Sequence, residues 1–209
     1  MDEVQLLPGD KLAWHEEQIA IPLTLQEVHA RLDSVPLEGL LPGTGRIPAV
    51  VGTAPLNDTP FPHPGARRRV MLADGSTATE EVIENTADGY FSYKVWGYTL
   101  RTARPIQYGK GEFWYKPTDD GHATTVRWRY SFKLRGDRFP GMLGPLGRFL
   151  FTKAFLDRSY ATFMKSTMNA MERYALQPAE RERGLDDLPR SQAPRGRTGR
   201  SLALRLRSR

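Results

Sequence analysis

Three charged residues on predicted strands are the side chains of this chain best suited to acid–base chemistry. Glu80 lies in the segment 77–85, and Lys110 and Glu112 share one face of the segment 105–116. A carboxyl group buried among aromatic rings has a raised pKa, so Glu80 could act as a general acid or base if it faces inward. A buried Lys110–Glu112 pair could orient a polar group of a ligand. A simpler interpretation stays open for all three, in which they are structural or face solvent and no charge is buried.

The sequence lacks the local patterns of a nucleophile elbow and of a metal site, whereas a Ser-His-Asp triad, which assembles in space, stays open. The chain has no cysteine and no Gly-x-Ser-x-Gly segment. Its four histidines are His15, His29, His63 and His122. None of them stands at a metal-ligand spacing from another histidine or from a carboxylate. We therefore expect no metal site and no cofactor. Whether the protein is an enzyme stays open, with a non-catalytic role favoured.

The elements that position these residues are predicted to be short antiparallel strands. Alternation of apolar and polar residues indicates a first strand that ends near Ile21, followed by strands at 49–53, 66–73, 77–85, 90–99, 105–116 and 123–134. Asp-Gly pairs typical of tight hairpin turns lie between several of them, at 74–75, 88–89 and 120–121. No long helix separates these strands, which disfavours a parallel sheet.

Two helical regions are predicted beside the strands. Thr24 and Glu27 form a capping-box pattern that indicates a short helix after the first strand. Gly144-Pro145 opens a segment to Ala175 in which apolar residues recur every three or four positions, namely Phe149, Leu156, Tyr160, Phe163, Thr167, Met171 and Tyr174. The sequence therefore predicts an α+β fold in which one long helix crosses an aromatic sheet, with a cavity between them.

Several local segments also carry a resemblance to a known group of proteins. They are Pro64-Gly65-Ala66-Arg67-Arg68, Asp74-Gly75, Thr79-Glu80-Glu81-Val82, Tyr90-Phe91-Ser92-Tyr93-Lys94-Val95 and Thr125-Val126-Arg127-Trp128-Arg129-Tyr130. Taken in order, with the elements around them, they resemble the START-like (SRPBCC) superfamily, and most of all its small bacterial polyketide cyclase/dehydratase-type members. The resemblance implies a helix-grip fold, in which a curved seven-stranded antiparallel sheet wraps around a long C-terminal helix, with a short helical insertion after strand 1.

The resemblance further implies a ligand cavity between the concave face of the sheet and the last helix. Glu80 would face inward, and the expected ligand-binding residues are Tyr93, Val95, Tyr108, Trp128, Tyr130, Phe163 and Thr167. The orientation of the strand 105–116 stays open, because Tyr108 shares a face with Lys110 and Glu112 while aromatic residues also occupy the other face. The loops 59–65 and 136–144, which contain Pro and Gly, are candidates for gating the cavity.

Charge divides the chain into a nearly neutral body and a basic tail. Residues 178–209 hold nine Arg against four acidic residues, which leaves only +1 of the net charge of +6 for residues 1–177. We expect a ligand-binding domain over 1–177 and a disordered, Arg-rich tail over 178–209. The near-neutral body disfavours a nucleic-acid partner. The tail could contact the phosphates of anionic lipid or of nucleic acid, or could simply be solvated.

Location and function follow as expectations. No window approaches the roughly 18 apolar residues of a membrane span, the N-terminal segment lacks a signal-peptide pattern, and the lack of cysteine suits a reducing compartment. We expect a soluble, cytoplasmic monomer or homodimer. The predicted function is binding of a small hydrophobic, amphipathic or aromatic ligand for storage, transport or sensing. The alternative is a cofactor-independent polyketide cyclase or dehydratase that uses acid–base residues of the pocket.

Overall fold

Seven antiparallel strands form one sheet in the order β1-β7-β6-β5-β4-β3-β2. Their bounds are Ala13–Ile21 (β1), Val50–Pro55 (β2), Arg67–Leu72 (β3), Thr77–Thr86 (β4), Tyr90–Trp96 (β5), Ile106–Pro117 (β6) and Thr124–Leu134 (β7). The computed structural model describes residues 3–32, 35–45 and 47–177. The predicted tail, 178–209, lies outside the described residues, so its disorder stays a prediction.

The turns and the curvature of the sheet follow from local sequence. Each predicted Asp-Gly turn places its glycine at positive φ, with Gly75 at 81°, Gly89 at 94° and Gly121 at 71°, a backbone conformation that costs glycine little. The pairing register shifts between Val82 and Glu84 and between Ile106 and Tyr108. Such shifts bend a strand and increase its twist, so they help the sheet to curve around the helix.

Two short helices follow β1, namely α1 (Leu25–Leu32) and α2 (Leu37–Leu40). The predicted capping box at the start of α1 is present: Glu27 accepts the backbone N–H of Thr24 at 2.9 Å, and Thr24 Oγ1 accepts the backbone N–H of Glu27 at 3.3 Å. The sequence did not predict α2, which has no side-chain cap and spans only four residues.

The C-terminal helix is continuous but changes its winding. It comprises α3 (Pro145–Phe151), a π-helical section (Thr152–Tyr160) and α4 (Ala161–Leu176). The prediction that Phe149 shares the buried face is wrong, because its side chain is 57% exposed. A π-helix takes more residues per turn, so residues before the section are rotated away from the face that Phe163 and Thr167 occupy.

The outer, convex face of the sheet is covered in part by the N-terminal residues 3–10. Asp10 accepts hydrogen bonds from the Tyr108 hydroxyl at 2.5 Å and from Lys133 Nζ at 2.6 Å. Glu3 pairs with Arg67 at 2.7 Å and with Lys94 at 3.2 Å. These contacts bury side chains on the face of the sheet that points away from the C-terminal helix.

Candidate functional site

A cavity of two adjoining chambers lies between the concave face of the sheet and the C-terminal helix. The first chamber has a volume of about 280 Å³ and the second about 260 Å³. The residues that line both chambers are Leu37, Leu41, Glu80, Tyr93 and Trp128. Because Leu37 and Leu41 belong to α2 and its C-terminal boundary, this short helix forms a third wall where the two chambers meet.

The first chamber is lined by α1, the segment 35–41, α4 and residues of the strands β2 to β7. Phe113 and Trp128 stack in it with ring centroids 5.2 Å apart and ring planes 7° apart. Among the described residues, three buried side-chain atoms that line this chamber have no hydrogen-bond partner, namely His29 Nε2 on α1, Trp128 Nε1 on β7 and Thr167 Oγ1 on α4. Buried polar atoms are almost always hydrogen-bonded, so these three atoms mark a place where a polar group of a ligand would be favoured.

The second chamber is lined by β2 to β7, the segment 98–106 and the π-helical section. Four tyrosines line it, namely Tyr93, Tyr98, Tyr130 and Tyr160. Burial in apolar surroundings raises the pKa of each of these phenols above its ordinary value of 10. They are therefore neutral at physiological pH and can donate or accept hydrogen bonds, as the 3.5 Å contact between the Tyr98 and Tyr130 hydroxyls illustrates.

Two glycines of β6 make room for these rings. A Cβ at Gly109 would stand 2.5 Å from the Tyr130 hydroxyl and 2.8 Å from the Tyr98 hydroxyl, and one at Gly111 would stand 2.5 Å from the Tyr93 hydroxyl. Ordinary contacts of a Cβ are 3.4–4 Å. The bare backbone of β6 therefore lets the tyrosines lie against the sheet, which leaves the space above them open.

One ion pair lies in the wall of the first chamber. Arg68 of β3 donates two hydrogen bonds to Glu80 Oε1 of β4, from Nε at 3.0 Å and from Nη2 at 2.6 Å. Burial raises the pKa of the Glu80 carboxyl above its ordinary value of 4.5, and the attraction and hydrogen bonding of Arg68 oppose this without cancelling it. The guanidinium group of Arg68 also lies 3.7 Å from the ring centroid of Phe61, which lines the first chamber.

Most of the residues expected to line the cavity do so. Tyr93 and Trp128 line both chambers; Thr167 lines the first; Val95, Tyr130 and Phe163 line the second. Glu80 faces inward, as the resemblance implied. That these residues bind a ligand or, for Glu80, catalyse a reaction stays a prediction.

The prediction that the cavity includes Tyr108, Lys110 and Glu112 is wrong, because the structure places these side chains on the convex face of the sheet. Phe113 and Tyr115 of the same strand line the first chamber, so alternation turns the other set outward. Tyr108 is buried beneath the N-terminal residues through its bond to Asp10. Lys110 pairs with Glu112 at 2.7 Å, outside the cavity. On the outer face the pair keeps part of its contact with water, with 26% of the Lys110 side chain and 16% of the Glu112 side chain exposed, so its charges are not fully desolvated.

Sequence reasoning missed Arg68, the paired partner of Glu80. The signal was present in the hairpin around Asp74-Gly75: antiparallel pairing places Arg68 opposite Glu80, just as it places Val70 opposite Ala78. It also missed Tyr98, Gly109 and Gly111, whose roles depend on which face of β6 points inward.

The described part of the chain offers neither a cluster of metal ligands nor a membrane-spanning helix. Within residues 3–32, 35–45 and 47–177, no three His, Asp or Glu side chains are grouped so that they could hold a metal ion. No helix in this part of the chain has both the length and the apolar character that crossing a bilayer requires.

Comparisons with solved structures place this architecture among known folds. A Thalictrum flavum norcoclaurine synthase point mutant, solved with a transition-state analogue, is 11% identical over 81% of this chain and 98% of its own, with a TM-score of 0.56. Ara h 8.0201 is 16% identical over 80% of this chain and 100% of its own, with a TM-score of 0.53. At such identities the likeness concerns the fold alone.

Other comparisons concern biosynthetic proteins and the family. The di-domain ARO/CYC StfQ of the steffimycin biosynthetic pathway is 15% identical over 78% of this chain and 51% of its own, with a TM-score of 0.53. No curated protein sequence matches the chain significantly. A family model described as polyketide cyclase/dehydrase and lipid transport matches residues 16–175. The chain, with its helix-grip fold, therefore belongs to this polyketide cyclase/dehydrase and lipid transport family of the START-like superfamily.

Proposed function

We propose that the protein binds a small hydrophobic or amphipathic molecule in the two-chamber cavity, for storage, transport or sensing. The observation that carries the proposal is a cavity whose walls are mostly aromatic and aliphatic and hold only a few polar groups. Binding sites for small molecules have this composition, because apolar walls supply affinity and a few polar groups fix the orientation of the ligand.

The polar groups indicate the kind of ligand. Arg68 and Glu80 supply a charged pair, while His29 and Thr167 supply unpartnered atoms in the first chamber. Neutral tyrosines line the second chamber. A ligand with a fused-ring or alkyl body and one or two hydroxyl or carbonyl groups would place apolar surface against the rings and satisfy the buried polar atoms.

Enzymatic activity is a second candidate function, and Glu80 favours it. A buried carboxyl group with a raised pKa beside a ligand cavity is suited to general acid or base catalysis of a cyclisation or dehydration. Lys110 and Glu112 have no part in such a reaction, because they lie on the opposite face of the sheet. Candidate partners for Glu80 are the tyrosine hydroxyls of the second chamber.

Binding is tested with oleate and a hydroxylated anthraquinone as probes. A Val95→Phe substitution adds a ring to the second chamber, whereas Val51→Phe makes the same change on an exposed side chain of β2 that lines neither chamber. We expect saturable binding of at least one probe by the wild-type protein, a loss of at least tenfold in affinity for Val95→Phe, and no change for Val51→Phe. Absence of saturable binding, together with ligand-free protein in native mass spectrometry after incubation with a lipid extract, would refute the proposal.

A Glu80→Gln variant distinguishes the two candidate functions. For a binding protein, a Glu80→Gln variant still takes up the bound probe, and neither protein converts it. For an enzyme, the wild-type protein converts a bound polyketide-like substrate to a product that mass spectrometry detects, and Glu80→Gln binds it without conversion.

A further inference from the structure

Large apolar side chains are concentrated at the surface of one short segment. Among the described residues, thirteen large apolar side chains are exposed, and six of these lie between positions 139 and 150: Phe139, Met142, Leu143, Leu146, Phe149 and Leu150. Single exposed apolar residues are ordinary, but a continuous group of them marks an interaction surface.

Close packing of small residues turns these side chains outward. Gly147 of α3 is buried, and a Cβ there would stand 2.7 Å from the carbonyl carbon of Pro140. A Cβ at Gly141 would stand 2.9 Å from Leu134 Cβ. The loop and α3 thus contact each other through glycine and proline, while Leu146, Phe149 and Leu150 share the outer side of the helix. The apolar surface is built into the fold and does not need a rearrangement to form.

Cations surround this apolar group. The segment 135–153 contains Arg135, Arg138, Arg148 and Lys153 against a single acidic residue, Asp137. Arg135 pairs with Asp137 at 3.2 Å, and Lys153 pairs with Asp157, just beyond the segment, at 2.7 Å. Arg135, Arg138 and Lys153 are exposed. Apolar side chains with basic residues beside them match the interface of an anionic bilayer, where rings and aliphatic groups enter the acyl boundary and cations meet the lipid phosphates.

We propose that residues 135–153 form a docking surface for an anionic lipid bilayer. The same helix continues into Phe151 and Phe155, which line the second chamber. Docking through α3 therefore brings a wall of the cavity close to the bilayer. The surface itself requires nothing of the cavity, so the docking proposal stands whether or not the proposed ligand binding holds.

Other occupants of this surface fit its charge less well. The tail 178–209 carries nine Arg against four acidic residues, so it would bring more positive charge to a surface that is already basic. A second copy related by a twofold axis would place the four cations of one protomer close to the same four cations of its partner, and like charges repel. A bilayer with anionic lipid satisfies both the apolar and the cationic groups.

The proposal is tested by co-sedimentation of the full chain with phosphatidylcholine vesicles that contain 30% phosphatidylglycerol. A Leu146→Ser/Phe149→Ser double variant removes two exposed apolar side chains. Its matched control is Leu7→Ser/Val51→Ser, which removes two side chains of similar exposure elsewhere. We expect the first variant to lose at least tenfold in vesicle affinity and the control to bind like the wild-type protein. Every variant keeps the tail, so a difference between them reports on the surface alone.

Charge gives a second, independent readout. Arg138→Gln/Arg148→Gln should weaken binding to the anionic vesicles, because the variant has two fewer cations to contact lipid phosphates. Salt weakens such contacts by screening, so the binding of this variant should also depend less on salt between 100 and 500 mM NaCl. Circular dichroism melts verify that each variant is folded. Three results would overturn the proposal: no vesicle binding by the wild-type protein, equal binding by the Leu146→Ser/Phe149→Ser variant and its control, or a wild-type dimer that this variant converts to a monomer.

Discussion

Replacing Gly111 by alanine tests whether the bare backbone of β6 shapes the cavity. A Cβ at this position would stand 2.5 Å from the Tyr93 hydroxyl, with ring carbons of Tyr93 closer still, where ordinary contacts are 3.4–4 Å. The ring of Tyr93 would therefore have to move by about 1 Å or more. It cannot do so freely, because its centroid lies 5.6 Å from that of Phe91, 6.4 Å from Phe113 and 6.1 Å from Tyr130.

The expected magnitude follows from the cost of adding a methyl group to a packed interior. Such overpacking lowers the free energy of unfolding by about 1–3 kcal/mol. A domain of this size loses roughly 2–4 °C in Tm for each kcal/mol, so the fall for Gly111→Ala should be about 2–12 °C. Gly9→Ala is the matched control: a Cβ there meets nothing within 4 Å, and a compatible Gly→Ala change stabilises by about 0.4–1 kcal/mol.

Thermal unfolding followed by circular dichroism gives the comparison, and probe titration gives a second measurement. Because Tyr93 lines both chambers, its displacement should also weaken oleate binding, whereas Gly9→Ala should leave it unchanged. A Tm for Gly111→Ala equal to that of Gly9→Ala would show that Tyr93 moves without cost. The reasoning that glycine on β6 holds the cavity open would then be wrong.

Three further predictions concern single sites. A carboxyl group whose pKa is raised in the folded state stabilises the protein less as pH rises, so the wild-type protein should become less stable relative to Glu80→Gln above about pH 4.5. Urea unfolding from pH 4 to 8 measures this difference. The opposite slope would mean that the attraction of Arg68 outweighs the effect of burial. Gly147→Ala should lower the free energy of unfolding by about 1–3 kcal/mol in urea, because its Cβ meets the Pro140 carbonyl group; unchanged stability would contradict the close packing of α3. Lys110→Met should change oleate affinity less than twofold, since Lys110 lies outside the cavity; a tenfold loss in the titration would contradict its outward position.

The strands and turns could be predicted because their signals are local. Alternation along β7 places Val126, Trp128 and Tyr130 on one face whatever the rest of the chain does, and an Asp-Gly pair favours a tight turn by itself. The predicted α+β, helix-grip architecture follows from those local signals and the resemblance, and the seven-stranded sheet with its C-terminal helix confirms it.

The elements that could not be predicted depend on tertiary contacts. The helix α2 has four residues and no side-chain cap, and helices this short are stabilised by packing more than by propensity. The π-helical section carries the same kinds of residue as an α-helix, so nothing in its composition indicates the change of winding. Both features shape the site, since α2 forms a wall where the chambers meet and the π-helical section contributes Phe155 and Tyr160 to the second chamber.

The orientation of β6 shows why polarity alone was insufficient to locate the site. Polarity was ambiguous because both faces of this strand carry aromatic residues, but size distinguishes them. The inward face holds Gly109 and Gly111, over which Tyr130 and Tyr93 lie, and a larger residue at either position would push those rings into the cavity. The outward face buries Tyr108 because residues 3–10 cover it, a contact between positions about 100 residues apart. A cavity in a small sheet therefore depends as much on where side chains are missing as on the rings that line it.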